Sequence, residues 1–508
     1  MEHVVLLVLT CPGAVVELER SLIVERVYAG PRGRCYGSFG PLRNDSWTIL
    51  HPGSPCLIRL LLKFLTTSGK KSPSQCGRIS HLKATTSGAS VSFSPGGTMQ
   101  YPSERASACE AKELQLFVEI TCCDLLRFEH SADSSTAPEQ VQIAQEFYLG
   151  APGAHADMQV RAPGIEPYFV EVKYGYTPER LIESMVRKYG RKAALQQVSK
   201  ILVVIDANLA ENWKSIESEL KPQLHAGLNL EVWDEEMLLS LLRQRFDVNL
   251  THLSLNNVHE VRAAIDAAKR EYAFGNGSSD PLYESLLWHF SFWQLRRIRV
   301  ENSVDSRSIF NPGFYRDVSV IFADLSGFSS FVRDTRDDAV VRYILTTFYT
   351  KARYEIVNRG GMLYQFAGDG VLAVFGLFDS GRSHLQTALE CARSLIQIGN
   401  SVTNEWQRQI DHIQSSHGSH VGIARGDLQF MSLRPFSRTH IGAIGDCINL
   451  AARLCSAATA GEIVVSNTFY QWLSGAVQAE FQETQPVDAK NMGRVRTWKL
   501  KYSMLPGS

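Results

Sequence analysis

The stretch Ile321-Phe322-Ala323-Asp324-Leu325-Ser326-Gly327-Phe328 decides how the C-terminal half of this chain folds. An apolar strand from Val318 to Phe322 runs into an acid and a glycine. A helix follows, with Val341, Ile344, Leu345, Phe348 and Ala352 at helical spacing, and Gly360-Gly361 stops it. A hairpin comes next, Met362 to Phe366 and Val371 to Phe375, with Gly368-Asp369-Gly370 at its tip. A second helix from Leu385 to Trp406, a strand from Val421 to Ala424, a helix from Asn449 to Ala457 and a strand from Glu462 to Val465 complete the unit. Strands and helices therefore alternate from Arg316 to Leu500, as an α/β sandwich requires.

Working outward, the whole chain has 508 residues, 44% of them hydrophobic and 20% charged, enough for two or three domains with real cores. Lys plus Arg equals Asp plus Glu at 52 each, so no global field draws it to nucleic acid or to anionic membrane. The apolar run Val4 to Leu9 is too short to span a bilayer and lacks a basic start, so a cytoplasmic protein without membrane contact is expected. The ten cysteines show no metal-ligand spacing; Cys122 and Cys123 fall in an apolar helical pattern with Leu114, Phe117, Leu125 and Leu126, as core thiols do.

Residues 1–100 are rich in Gly, Pro, Ser and Arg and carry little apolar periodicity, which predicts either a disordered arm or a start assigned upstream of the true one at Met99. A chain begun at Met99 should then keep full activity. Residues 101–250 read as an α/β domain: a helix from Ala106 to Phe128, strands near Val141 to Leu149, Ala156 to Ala162 and Tyr168 to Tyr174, a helix from Pro178 to Tyr189, and a buried strand from Ile201 to Ile205. Residues 251–310 read as a helical connector and 311–505 as the sandwich described above.

The chemistry sits in three segments. Asp324 and Asp369 each end an apolar strand beside glycine, where the backbone can approach a bulky anion; paired carboxylates suit two hard divalent ions bridging phosphate oxygens. One Asp-Gly pair alone would be read as a turn, but two matched sites in one small domain shift that reading. The third segment runs from His440 to Leu454 and puts Asn449 and Arg453 one turn apart on one helix face.

With these three motifs in order, residues 316–500 resemble the class III adenylyl and guanylyl cyclases, whose catalytic domain is a ferredoxin-like α+β sandwich. The resemblance implies that Asp324, Asp369 and the carbonyl of Leu325 hold two divalent ions, Mn²⁺ or Mg²⁺. It implies that Asn449 orients the ribose, that Arg453 stabilises the transition state, and that Phe322 and Lys490 bind substrate, Lys490 at the terminal phosphates. The 3'-hydroxyl would attack the α-phosphorus in line and expel pyrophosphate. The family's aspartates and its Asn and Arg come from different subunits, which implies a homodimer.

At the family's purine-reading positions this chain has Gln365 and Gly442. Gly442 offers no side chain, so the pocket would be filled from elsewhere, by Tyr364 or Phe366. This departure resembles the pyrimidine cyclases of bacterial Pycsar anti-phage systems, which signal abortive infection. UTP conversion to cyclic UMP is the favoured expectation, with a cytidylate or a divergent adenylate cyclase as alternatives. A second alternative is a nuclease or nucleic-acid-binding protein whose cyclase-like domain is a dimerisation scaffold; the intact Asp324, Asp369, Asn449 and Arg453 argue against it.

In the N-terminal domain Asp157 lies on one strand and Glu171-Val172-Lys173 on the next, with Glu171 and Lys173 on one face. The order of elements resembles the PD-(D/E)xK restriction-endonuclease-like fold, implying a nuclease-like site and contact with nucleic acid. A plain ion pair on a strand, or a retained fold that does not cut, remain the alternatives. Arg180, Arg187, Lys188, Arg191 and Lys192 supply phosphate-binding charge or a solvated helix face.

Overall fold

The structure is a computed structural model and describes residues 104–502, apart from 133–135, 152–153, 191–197, 276–280, 302–308, 336, 379–380, 409, 411–413, 415, 434–439 and 490–491. The expectations for residues 1–100, Lys490, Arg191 and Lys192 lie outside the described residues.

Helix α1 (Glu104–His130) leads into strands β1 (Gln142–Tyr148), β2 (His155–Ala162) and β3 (Ile165–Lys173), then helix α2 (Pro178–Tyr189), β4 (Lys200–Ile205) and β5 (Asn229–Trp233). The five strands lie in sequence order, β1 to β3 antiparallel and β3 to β5 parallel. Helix α2 starts where the sequence says it should, because Thr177 accepts the Arg180 amide and Pro178 occupies the first turn, where its missing N–H costs nothing. Strand alternation sends Val170, Val172, Leu202 and Val204 to one face, under α1, α3 (Glu235–Phe246) and α4 (Val258–Phe274). Phe169, Ile201, Val203 and Ile205 go to the other face, under α2. Cys122 and Cys123 are buried free thiols in the first of these cores.

Helix α4 joins two cores. Its Val261 and Ile265 pack in the N-terminal domain, while Ala273 and Phe274 pack with α5 (Pro281–His289) and α6 (Phe292–Glu301) against the C-terminal sheet. The connector is thus an integral layer of the C-terminal domain. Asp124 of α1 clamps α4 through Lys269 at 2.7 Å and Arg262 at 3.0 Å.

The C-terminal domain contains β6 (Gly313–Ser326), α7 (Phe328–Thr335), α8 (Asp338–Asn358), β7 (Met362–Ala367), β8 (Gly370–Phe375), α9 (Ser383–Gln407), β9 (Gly418–Leu433), β10 (His440–Ile444), α10 (Asp446–Ala457), β11 (Glu462–Ser466), β12 (Gln482–Ala489) and β13 (Gly493–Lys501). Its sheet runs β12-β13-β11-β9-β6-β8-β7, and β10 pairs with the far end of β9. Along β6, Ile321, Ala323 and Leu325 face α8 and α9, while Val318, Val320 and Phe322 face α10 and the connector helices. Each fully buried Ile or Val of this kind contributes about 2 kcal/mol. Helix α10 lies directly on β9 because Gly422 has no side chain: a Cβ there would stand 2.2 Å from the Ala451 carbonyl oxygen and the Cys455 nitrogen.

The elements expected between residues 316 and 500 are present, and several are longer than the sequence indicated. Strands β10, β12 and β13 were not anticipated. Among the described residues no helix is long and apolar enough to cross a membrane.

Candidate active site

Strand β6 delivers Asp324 to the rim of the sheet, and the two-residue turn between β7 and β8 delivers Asp369 beside it, because Ala323 pairs with Val371 and Ala367 pairs with Gly370. Gly370 makes the approach possible. A Cβ there would lie 3.0 Å from Asp324 Oδ1, the Ala323 carbonyl oxygen and Phe322 Cε1 alike. Burial, and then the charge of Asp369, push the Asp324 carboxyl up to about 7; burial likewise raises Asp369. The Leu325 amide donates to Asp324 and opposes the shift.

The two carboxylates and the Leu325 carbonyl are hard oxygen donors, and a divalent cation would offset the burial that raises both acids and the charge of Asp369 that adds to it at Asp324. That donor set fits Mg²⁺ or Mn²⁺. Among the described residues no group of three or more His, Cys, Asp and Glu side chains gathers as a metal site, so any cation here would rest on two side chains and the backbone. Phe322, anticipated as a substrate contact, is buried with its side chain in the core facing α10. Only its backbone and ring edge border the site.

Sequence reading missed His420. It stands opposite Asp324 in the β6–β9 pairing, with Nε2 3.9 Å from Asp324 Oδ2 and Nδ1 2.8 Å from the Ser326 hydroxyl. Burial holds the imidazole below its usual value, so it meets Asp324 neutral near pH 7. Only the strand register brings it there.

Asn449 and Arg453 are exposed on α10 and have no hydrogen-bond or ion-pair partner among the described residues. Cys455, two residues past Arg453, is buried and close enough to feel the charges of Asp324 and Asp369. Positions two apart lie on nearly opposite helix faces, so α10 turns Cys455 toward the acids and Arg453 away. Among the described residues no hydrogen bond or ion pair joins Asn449 or Arg453 to Asp324 or Asp369.

Gly442 is buried on β10 and Gln365 is exposed on β7. Between them, the Tyr364 hydroxyl accepts the Ala443 amide hydrogen at 2.9 Å. The β7–β8 register shifts between Leu363 and Gln365, which sends Tyr364 and Phe366 to opposite faces: Tyr364 joins the core beneath β10, whereas Phe366 stacks on Tyr349 at 4.0 Å. Tyr364 thus stands against β10, the strand that carries Gly442.

In the N-terminal domain Asp157, Glu171 and Lys173 converge. Lys173 Nζ lies 2.8 Å from Asp157 and 2.5 Å from Glu171, and Lys188 of α2 reaches both acids at 3.1 and 2.7 Å. Glu171 is wholly buried and also accepts the Tyr189 hydroxyl. Burial would raise Asp157, but Lys173 and Lys188 hold it well below the usual carboxylate range.

Residues 311–502 match the family model described as the adenylate and guanylate cyclase catalytic domain. An uncharacterized protein of Mycobacterium tuberculosis is 30% identical over 146 residues, which cover 29% of this chain and 24% of that protein. An adenylate cyclase of the same organism is 25% identical over 187 residues, covering 37% of this chain and 40% of the relative. The chain thus spans about a quarter of the length of the first curated relatives it matches. Among solved structures, the adenylyl cyclase CyaB from P. aeruginosa is 21% identical and covers 37% of this chain and 96% of its own, at a TM-score of 0.33. The guanylyl cyclase Cya2 is 24% identical, covering 38% and 100%, also at 0.33.

Proposed function

We propose that this chain, which carries a class III adenylate/guanylate cyclase catalytic domain at residues 311–502, is a nucleotidyl cyclase that closes UTP into 3',5'-cyclic UMP with release of pyrophosphate. Bound Mg²⁺ or Mn²⁺ would supply charge neutralisation of the triphosphate and acidify the ribose 3'-hydroxyl. Asp324, Asp369 and the Leu325 carbonyl would hold the ions. Asn449 would orient the ribose, and Arg453 would meet the charge that grows on the transferred phosphoryl group. Because α10 turns Arg453 away from its own chain's acids, the working site forms between two copies, and the enzyme is a homodimer. It acts in the cytoplasm as the signal-producing arm of an anti-phage response.

The observation that carries the choice of base is the bond between the Tyr364 hydroxyl and the Ala443 amide. Glycine at 442 offers a purine no side-chain acceptor, and the tyrosine hydroxyl beside that strand is already engaged by the Ala443 amide. Exposed Gln365 can present both a donor and an acceptor to uracil. Incubating the protein with each of the four ribonucleoside triphosphates and Mn²⁺, then identifying the cyclic product by mass, tests this reading. Cyclic UMP as the main product supports it; cyclic CMP or cyclic AMP would replace the base assignment while keeping the reaction.

For the N-terminal domain we propose a restriction-endonuclease-like fold that senses a nucleic acid or a related product without cutting it. Lys188 bridges Asp157 and Glu171, so a metal ion would have to displace a buried ammonium before either acid could ligate it. The sensing reading fails if Asp157→Ala leaves signalling in cells unchanged, and absence of cutting fails if the wild-type protein degrades single- or double-stranded nucleic acid with Mg²⁺ or Mn²⁺.

A further inference from the structure

A cavity of about 710 Å³ opens between the N-terminal sheet and helices α8 and α9 of the cyclase domain. Its lining joins Lys173 and Lys188 from one domain to Lys351 and Arg408 from the other. Those two ammonium groups at the N-terminal side are already balanced by Asp157 and Glu171. Arg180 and Arg187 of α2 are exposed lining residues and form no ion pair among the described residues; Arg180 stacks on Tyr176 at 4.7 Å. The cavity thus carries uncompensated guanidinium charge, the group that best matches a phosphate's geometry.

A second observation points the same way. His155 lines this cavity and is 6% exposed, yet its Nε2 has no hydrogen-bond partner among the described residues. A buried polar atom is costly when unpaired, and a ligand in the cavity would satisfy it.

The cavity also has a wired exit. Glu146 of β1 sits at φ 50, in the left-handed region that a strand residue rarely adopts, and this conformation sends its carboxylate across to the cyclase domain. There it pairs with Lys351 of α8 and accepts the Ser401 hydroxyl of α9 at 2.8 Å. Lys351 also pairs with Glu119 of α1 at 2.9 Å. The same helix α8 also packs on β7, the strand that leads to Asp369.

We propose that this interdomain cavity is a regulatory site for a phosphomonoester, free or at the end of an oligonucleotide, and that Glu146 and Lys351 carry its occupancy to the cyclase helices. The ligand's phosphate meets Arg180 and Arg187, and a polar group near it bonds His155. The regulatory half of this statement rests on the cyclase reading above; the binding half does not.

The experiment uses the full chain and fluorescence anisotropy of a labelled 5'-phosphorylated deoxytetranucleotide. Binding is expected to be competed by the unlabelled phosphorylated tetranucleotide and not by its unphosphorylated form. Competition by AMP as well would mark the free nucleotide as sufficient, whereas its failure would mark the oligonucleotide terminus as the ligand. Arg180→Glu combined with Arg187→Glu should weaken binding by at least about tenfold. Asp324→Ala should leave it unchanged, which keeps this arm readable even where no cyclase turnover is found. In active protein the probe should change turnover, and Lys351→Met should remove that change while binding stays within about threefold. Ser401→Ala serves the same purpose where Lys351→Met fails to fold. Absence of probe binding, or binding indifferent to the two arginine substitutions, overturns the site; an unaltered turnover response in both Lys351→Met and Ser401→Ala overturns the Glu146–Lys351 coupling.

Discussion

Gly370 stands so close to Asp324 that a single added Cβ would come within 3.0 Å of the Asp324 Oδ1 atom, and equally near the Ala323 carbonyl oxygen, which belongs to the backbone and cannot swing aside. Gly370→Ala should therefore displace the carboxylate and lower turnover by at least about tenfold, since small misplacements of catalytic groups cost that much or more. Circular dichroism should show an intact fold. Turnover within twofold of wild type would mean that the glycine does not set the position of the acid.

A pH dependence follows from the same pair. Burial and Asp369 raise the Asp324 carboxyl to about 7, above its unfolded value, so the folded chain binds the extra proton more tightly. That contribution to stability is fully present below about pH 4 and is lost as pH rises through 7. Without divalent ions, thermal melts should fall across this window more steeply for wild type than for Asp324→Asn. Added Mn²⁺ should stabilise wild type more at pH 8 than at pH 6, with proton release on binding seen by calorimetry in two buffers. A metal-induced shift independent of pH would contradict the raised acid.

Much of this site was legible in the chain because apolar strands ending in Asp-x-x-Gly and Gly-Asp-Gly announce their own geometry: β6, β7 and β8 fall where Ile321 to Phe328 and Gln365 to Gly370 place them. His420 was not legible, since it reaches Asp324 only through the antiparallel register of β6 with β9. Strand β12 escaped notice because it is an exposed edge with little apolar alternation from Gln482 to Ala489. Nor could the sequence reveal the Glu146–Lys351 pair, whose members are 205 residues apart. The separate faces of Tyr364 and Phe366 depend on a register shift that strict alternation does not contain.

The exposed pair Asn449 and Arg453 gives a test of the two-copy site. Asp324→Ala and Arg453→Ala homodimers should each be inactive. Mixed in equal amounts and allowed to exchange, they should recover about a quarter of wild-type turnover, because half of the dimers would then hold one complete site. No recovery despite demonstrated exchange would place both groups in a site within one chain.

Asp124 offers a test of the connector. Its carboxylate is buried, and although burial would raise it, Lys269 and Arg262 hold it below its usual value. Asp124→Ala leaves the largely buried Lys269 without its anion and should cost about 3 kcal/mol in urea unfolding. Replacing Asp124 and Lys269 together by apolar residues should recover part of that loss. A cost below about 1 kcal/mol for the single change would show that α1 and α4 are held by packing alone.

The most direct test of the account is pyrophosphate release by full-length protein given UTP and Mn²⁺, wild type against Asp324→Ala. Wild type should release pyrophosphate continuously with cyclic UMP in equal amount, and the variant at least about a hundredfold less. A folded, dimeric wild type that releases no pyrophosphate from any of the four ribonucleotides, or an Asp324→Ala protein that turns over as wild type does, would contradict it.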